Sequence, residues 1–91
     1  MAAEETVLSG PDFMAIQIAS RDFLHNKYST SGDLKHFQIY LFRRPRELEI
    51  VFVPNQIPGK EVLGGQTARG LEVHYFVSPK TMEIVRHHFA K

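Results

Sequence analysis

Cysteine is absent from this sequence of 91 residues. That excludes a disulfide framework and a thiolate metal site. It leaves the compartment open, because exported bacterial domains also do without cysteine. An excess of one charge is missing too: Lys plus Arg number 11 and Asp plus Glu 10, for a formal net charge of +1. A dedicated nucleic-acid binder carries a clear basic surplus, so no nucleic-acid partner is expected. No apolar run approaches the roughly 20 residues that span a bilayer, and no membrane partner is expected either. Met1 to Ser9 has neither the basic start nor the apolar stretch of a signal peptide. The segment is expected to be a flexible tail. It points to the cytoplasm as written, or to a periplasmic or secreted protein if a leader has been removed. A complete catalytic, metal or nucleotide motif is also lacking, so no cofactor is expected.

The length suits one domain, residues 1–91, with one modest core. The hydrophobic fraction of 43% is that of a globular chain rather than a disordered one. Ser9-Gly10-Pro11-Asp12 is a helix-start signal. Ser9 or Gly10 can cap, Pro11 suits the first turn, and Asp12 faces the positive end of the helix dipole. The helix is predicted from about Pro11 to Asn26 or Lys27, burying Phe13, Ile16, Phe23 and Leu24. Gln17, Arg21, Asp22 and His25 then mostly face water. Tyr28 to Asp33 is turn chemistry that ends it.

Alternation predicts four strands, His36–Phe42, Glu47–Val53, Gly70–Ser78 and Glu83–Ala90. The fold class is therefore α+β, one N-terminal helix on a curved antiparallel sheet of about four strands. A loop of Arg43, Arg44, Pro45 and Arg46 sets Leu41 opposite Leu48, Ile39 opposite Ile50 and Phe37 opposite Phe52. The turn Pro79-Lys80-Thr81-Met82, with Ser78 bonded to its own turn, sets Val77 opposite Ile84, Phe76 opposite Val85 and His74 opposite His87. One face, with Phe37, Ile39, Leu41, Leu48, Ile50, Phe52, Val73, Tyr75, Val77 and Ile84, is expected beneath the helix.

Pro54–Arg69 is long for a connection in a chain this small, and such connections are usually functional. Gly59, Gly64, Gly65 and Gly70 suggest tight turns or close backbone approach. Gly59-Lys60 and Gly64-Gly65 do not make a phosphate loop: no Ser or Thr follows Lys60 and no helix is predicted next.

Five histidines raise the question of metal or acid–base chemistry. His74 and His87, with Glu72 on the same face, make the one constellation the register assembles, yet a metal wants three or four ligands at defined geometry. No serine groups with a histidine and an acid on spacing alone. Glu47 and Glu49 read as solubilising charge. Arg43, Arg44 and Arg46 form a basic hairpin tip that suits a phosphate or an acidic partner. No catalytic or metal site is therefore assigned.

The second sheet face needs explaining. It is expected to present Gln38, Tyr40, Phe42, Val51, Val53, His74, Phe76, Val85, His87 and Phe89, with Glu47, Glu49 and Glu72 at its edges. It is about half apolar and rich in aromatics, where an ordinary solvated face is mostly polar. Such patches mark association surfaces. Either a partner covers it, a second copy included, or the long loop closes over it with Ile57, Val62 and Leu63. Lys60, Gln66 and Arg69 are the loop's candidate contacts.

Two resemblances bear on these residues. Val77-Ser78-Pro79-Lys80-Thr81-Met82-Glu83-Ile84 resembles the terminal hairpin of PepSY-type domains, where Asp-x-x-Thr-Gly precedes an apolar strand residue. Ser78 and Met82 replace the Asp and Gly, so Met82 needs a positive φ. Gln66-Thr67-Ala68-Arg69-Gly70 is similar to the Q-x-V-x-G of cystatin-type protease inhibitors, with Ala68 in place of Val. The inhibitors' glycine arm and late Pro-Trp loop have no counterpart. The cystatin-like resemblance implies a helix on an antiparallel sheet and hints at inhibition. The function expected is a non-enzymatic, bacterial-type protein-binding domain, an inhibitor or toxin-neutralising immunity protein among its forms. The alternatives are a small-ligand carrier with a pocket between helix and sheet, and a small enzyme using His74, His87 and Glu72.

Overall fold

Ser9 starts the helix as the sequence predicts. In the computed structural model, its Oγ accepts from the Asp12 N–H at 3.1 Å and Asp12 Oδ2 accepts from the Ser9 N–H at 3.1 Å, a reciprocal capping box. The structure describes residues 5–55, 66–67 and 70–90. Helix α1 spans Gly10–His25. Asn26 caps its end, and Lys27 turns the chain away with a φ of 59°. No helix among these residues is long and apolar enough to cross a membrane.

The buried row of α1 is Asp12, Ala15, Ala19 and Phe23. This rotates the expected phase. Phe23 is fully buried, but Phe13 is exposed and Ile16 and Leu24 are only half-buried. The reason is steric. Two alanines let the helix backbone approach a sheet face already filled with rings. Phe23 stacks on Phe52 with centroids 4.4 Å apart and meets Phe37 edge-on at 5.0 Å.

The strands are β1 (Phe37–Arg43), β2 (Leu48–Pro54), β3 (Gln66–Thr67), β4 (Gly70–Leu71), β5 (Val73–Val77) and β6 (Ile84–Phe89). An antiparallel four-stranded sheet has the order β1-β2-β5-β6, and β3 pairs only with β4. The expected strand Gly70–Ser78 is thus divided at Glu72, and Gln66 and Thr67 belong to a short ribbon rather than a loop. Lys60, Arg69 and the proposed plug Ile57, Val62 and Leu63 lie outside the described residues. Gly70 has a φ of 144°, and a Cβ there would collide with the Tyr28 carbonyl oxygen and lie 2.8 Å from Phe37 Cζ. Close backbone approach therefore requires glycine at this position.

Both hairpin registers differ from expectation. In the first, Leu41 faces Ile50, Ile39 faces Phe52 and Phe37 faces Pro54. The slip is two residues, so every side chain keeps its face. Its cause is a tighter turn, closed by the Arg44 N–H donating to the Glu47 carbonyl at 2.9 Å with Pro45 and Arg46 at the tip. In the second, Val77 faces Ile84 as expected, but Phe76 then faces Arg86 and His74 faces His88. A bulge accommodates Val85 as an extra residue. The slip of one residue sends His87 and Phe89 to the helix side. The turn itself follows the sequence: Ser78 Oγ accepts from the Lys80 and Thr81 N–H groups at 3.3 and 3.4 Å, and Met82 has a φ of 56°.

Beneath α1 lie Phe37, Leu48, Ile50, Phe52, Val73, Tyr75 and Val77, with Leu41 and Ile84 at the margin. Tyr75 is fully buried and donates its hydroxyl to Asp22 Oδ2 at 2.7 Å. Burial, with Asp22 beside it, pushes its phenol well above the usual range.

Candidate functional site

The face of the sheet turned away from α1 carries ionic cover over its apolar groups. Glu49 on β2 is buried and held from two sides. Arg44 donates Nε and Nη2 to Oε1 at 3.1 and 2.7 Å, and His74 on β5 meets Oε2 through Nδ1 at 2.9 Å. The other ring nitrogen of His74 lies 3.0 Å from Glu72 Oε2. His88 stacks on the His74 ring at 4.7 Å and 14°. Arg86 makes a double bond-pair with Glu47 at 2.7 and 2.8 Å and lies 4.0 Å from the centre of the Phe76 ring. Glu47 and Glu49 are therefore structural ion-pair partners rather than loose solubilising charge.

The geometry favours the protonated ring of His74. A neutral imidazole has one N–H and one lone pair. Between two carboxylates, its lone pair would face negative oxygen. Burial disfavours the charged ring, but the hydrogen bonds to Glu49 and Glu72 outweigh it and raise the His74 pKa above its ordinary 6.5. Burial likewise disfavours the Glu49 anion, and the bonds from His74 and Arg44 outweigh that and lower its pKa below 4.5. With the ring protonated, the three side chains make a carboxylate–imidazolium–carboxylate bridge. Both ring nitrogens are engaged by carboxylates. Among the described residues, no group of three or more His, Cys, Asp or Glu side chains is arranged to hold a metal ion.

The expected surface residues separate accordingly. Val51 and Phe76 are buried, at 4% and 9% exposure, while Tyr40, Phe42 and Val85 are exposed. His74 joins Glu72 as expected, but His87 does not. His87 sits against Tyr75 at 5.6 Å and Phe89 against Tyr28 at 5.3 Å, both on the helix side. The grouping of His74, His87 and Glu72 is therefore not assembled. At the basic tip, Arg43 binds Asp12 at 2.6 Å and Arg44 binds Glu49, so two of its cations are already engaged. The Arg43 hydrogen bond and the capping bonds from Ser9 hold the Asp12 carboxyl below its usual pKa.

A feature missed in the sequence lies at the rim. Strand β1 is an edge strand. Beside it runs an apolar cleft of about 500 Å³, lined by Thr6, Val7, Leu8, Phe13, Ile16, Ile39, Tyr40, Leu41 and Arg43. The space directly between helix and sheet is filled by Phe23, Phe52 and Tyr75, so the expected helix–sheet pocket is displaced to this margin.

The backbone polarity of β1 follows from its ends. Arg44 donates to Glu47, and the His36 carbonyl accepts from Asn55 at 2.7 Å. Even-numbered residues of the strand therefore bond toward β2. Ile39, Leu41 and Arg43 aim their N–H and C=O groups out of the sheet, where no described residue meets them. The sequence signal for this edge is composition: Phe37–Arg43 carries charge only at Arg43, whereas β6 carries Arg86, His87, His88 and a bulge. Charges and bulges blunt an edge, and β1 has neither along its centre. Comparison with known proteins finds no matching family model, no matching curated protein and no matching solved structure.

Proposed function

We propose that this chain is a non-catalytic protein-binding module that takes an extended segment of a protein or peptide as an added strand on the free edge of β1. The observation that carries this reading is the row of backbone groups at Ile39, Leu41 and Arg43 that no described residue meets, beside an apolar cleft. Added-strand recognition draws affinity from main-chain hydrogen bonds and selectivity from pockets for alternate side chains. Ile39, Leu41 and Phe13 provide apolar contacts on the helix side, and Tyr40 and Phe42 on the other. An inhibitor or a toxin-neutralising immunity protein would use such an edge to occupy a strand-forming segment of its target. His74 then serves the scaffold rather than chemistry.

The test is selection from a displayed library of linear peptides, followed by titration of the enriched sequences against Ile39→Pro. Proline removes an outward N–H and leaves the β1–β2 bonds in place. Binding should fall at least tenfold. A library that yields no binder, or binders indifferent to Ile39→Pro, overturns the reading. A small apolar ligand is the second reading, favoured by the cleft volume, which lies in the usual range for ligand pockets. A thermal-shift screen separates the two, because such a ligand would stabilise the chain without any need for the Ile39 N–H.

A further inference from the structure

We infer that the strand accepted by β1 is β1 of a second copy of this chain, antiparallel and centred on Tyr40. The inference rests on β1 being a docking edge and names its occupant. Antiparallel pairing of two identical strands is a closed, two-fold arrangement. It succeeds only if the outward backbone groups of one copy meet those of the other. A centre at Tyr40 places Ile39 opposite Leu41 and Leu41 opposite Ile39, all with outward N–H and C=O groups. Each such pair exchanges two hydrogen bonds, and the axis generates two pairs. Arg43 adds its N–H to the Phe37 carbonyl at each end. The Phe37 N–H is already committed to the Leu34 carbonyl at 3.0 Å and is not required.

The side chains select the same register. On the helix side, Ile39 and Leu41 meet across the axis beside the two Phe13 rings. On the other side Tyr40 meets its own copy, and Phe42 meets Gln38, whose Oε1 already accepts from the Tyr40 hydroxyl at 2.8 Å. Arg43 falls at the ends, opposite Phe37, where its aliphatic stem can pack while its head stays on Asp12. A slip of two residues one way brings Arg43 against Lys35, and the other way brings it against Ile39. A slip of one sets outward groups against inward ones. A net charge of +1 per chain opposes the pairing little.

The surface at stake is adequate. Val7, Leu8, Phe13, Ile39, Tyr40 and Phe42 are exposed by 39% to 77%. At about 150–250 Å² for an aromatic side chain they offer on the order of 500 Å² of apolar surface per chain. The strand backbone adds to this, against about 800 Å² per partner in a standard interface. The opposite edge, with Arg86, His87, His88 and the Val85 bulge, lacks this self-complementarity.

The absence of cysteine permits a direct test. Tyr40 and its copy would form a non-hydrogen-bonded pair with Cα atoms about 4.5 Å apart, within the span of a disulfide. The full chain carrying Tyr40→Cys should oxidise to a covalent dimer at low micromolar concentration, and Val85→Cys should form no covalent dimer. Sedimentation of the wild-type chain from about 1 to 200 μM should show a monomer–dimer equilibrium. Ile39→Pro and Tyr40→Lys should each weaken it at least tenfold, with circular dichroism unchanged. Tyr40 is exposed, so the second variant covers a failure of the first to fold. A wild-type chain that stays monomeric overturns the inference, as does a dimer indifferent to both variants or equal crosslinking at Val85. If a monomeric wild type still captures library peptides through β1, the self-pairing fails while the docking edge stands. If it captures none, both fail.

Discussion

Replacing His74 by Gln should destabilise the protein by an amount that shrinks as the pH rises. The wild-type ring bridges Glu49 at 2.9 Å and Glu72 at 3.0 Å. A hydrogen bond to a charged group contributes about 1.5–3 kcal/mol. Glu49 keeps its bonds from Arg44, so the substitution orphans no buried charge. Gln can also donate to one of the carboxylates. The net cost at about pH 6 is therefore about 1–2 kcal/mol. The sign with pH follows from linkage. Burial opposes the charged ring, but the two carboxylates raise the folded-state pKa of His74 above 6.5. The contribution is fully present below 6.5 and is lost as the pH rises through the folded pKa. Glu49 acts in the opposite sense: its folded pKa is below 4.5, so its contribution holds above 4.5 and is lost as the pH falls through that lower value. The bridge is strongest between 4.5 and 6.5. Urea unfolding of wild type and His74→Gln at about pH 5.5, 7 and 8.5 measures the gap. NMR titration of the His74 ring gives its midpoint, expected above 6.5. A gap that is constant or widens toward alkaline pH, or a midpoint below 6.5, refutes the bridge.

Phe23→Ala should cost about 3–5 kcal/mol in urea unfolding, since the ring is fully buried and touches Phe37 and Phe52. A cost below about 1 kcal/mol would show that the helix packs in another phase. Gly70→Ala should cost about 2–4 kcal/mol, because the added methyl meets the backbone of Tyr28 and Ser29, which cannot turn aside as a flexible side chain would. Loss of protection at the Leu71 amide, which donates to the Tyr28 carbonyl at 3.0 Å, should accompany it in hydrogen exchange. Ser9→Ala should cost about 1 kcal/mol by removing the acceptor for the Asp12 N–H, and Ser9→Asp should recover most of it.

What the sequence made legible, and what it did not, divides by the range of the interaction. The helix start was readable because the Ser9–Asp12 capping box acts over three residues. The faces of β1 and β2 were readable despite a wrong register. Alternation fixes parity, and an error of two residues preserves it. Strand β6 offered no such protection. Ile84-Val85-Arg86-His87-His88-Phe89 alternates poorly, so nothing in its pattern revealed that Val85 is a bulge. One extra residue then exchanged His87 for His88 beside His74. The helix phase failed for a different reason. Large apolar residues were favoured for burial, whereas the rings of Phe37, Phe52 and Tyr75 left room only for Ala15 and Ala19 over much of the contact. The bridge through His74 joins β2 to β5 across twenty-five residues of chain, and no local rule relates those positions before the sheet order is known.

The sheet order also bears on where the proposed association surface lies. Large aromatics on the second face suggested a partner stacked on the sheet. The ion pairs Arg44–Glu49 and Arg86–Glu47, with the His74 bridge, lie across that face, and Arg86 and His88 lie on Phe76. A flat partner docking there would have to strip water from several charges that already satisfy one another, which opposes docking. The edge of β1 presents the reverse balance. Its outward N–H and C=O groups gain bonds when a strand arrives, and Ile39, Tyr40, Phe42 and Phe13 lose water beside them. Tyr40 and Phe42 stand at this edge with their rings stacked at 6.4 Å, where the proposed neighbouring strand would cover them. On the proposed reading, the apolar residues that looked like a face in the alternation pattern act as the flank of an edge.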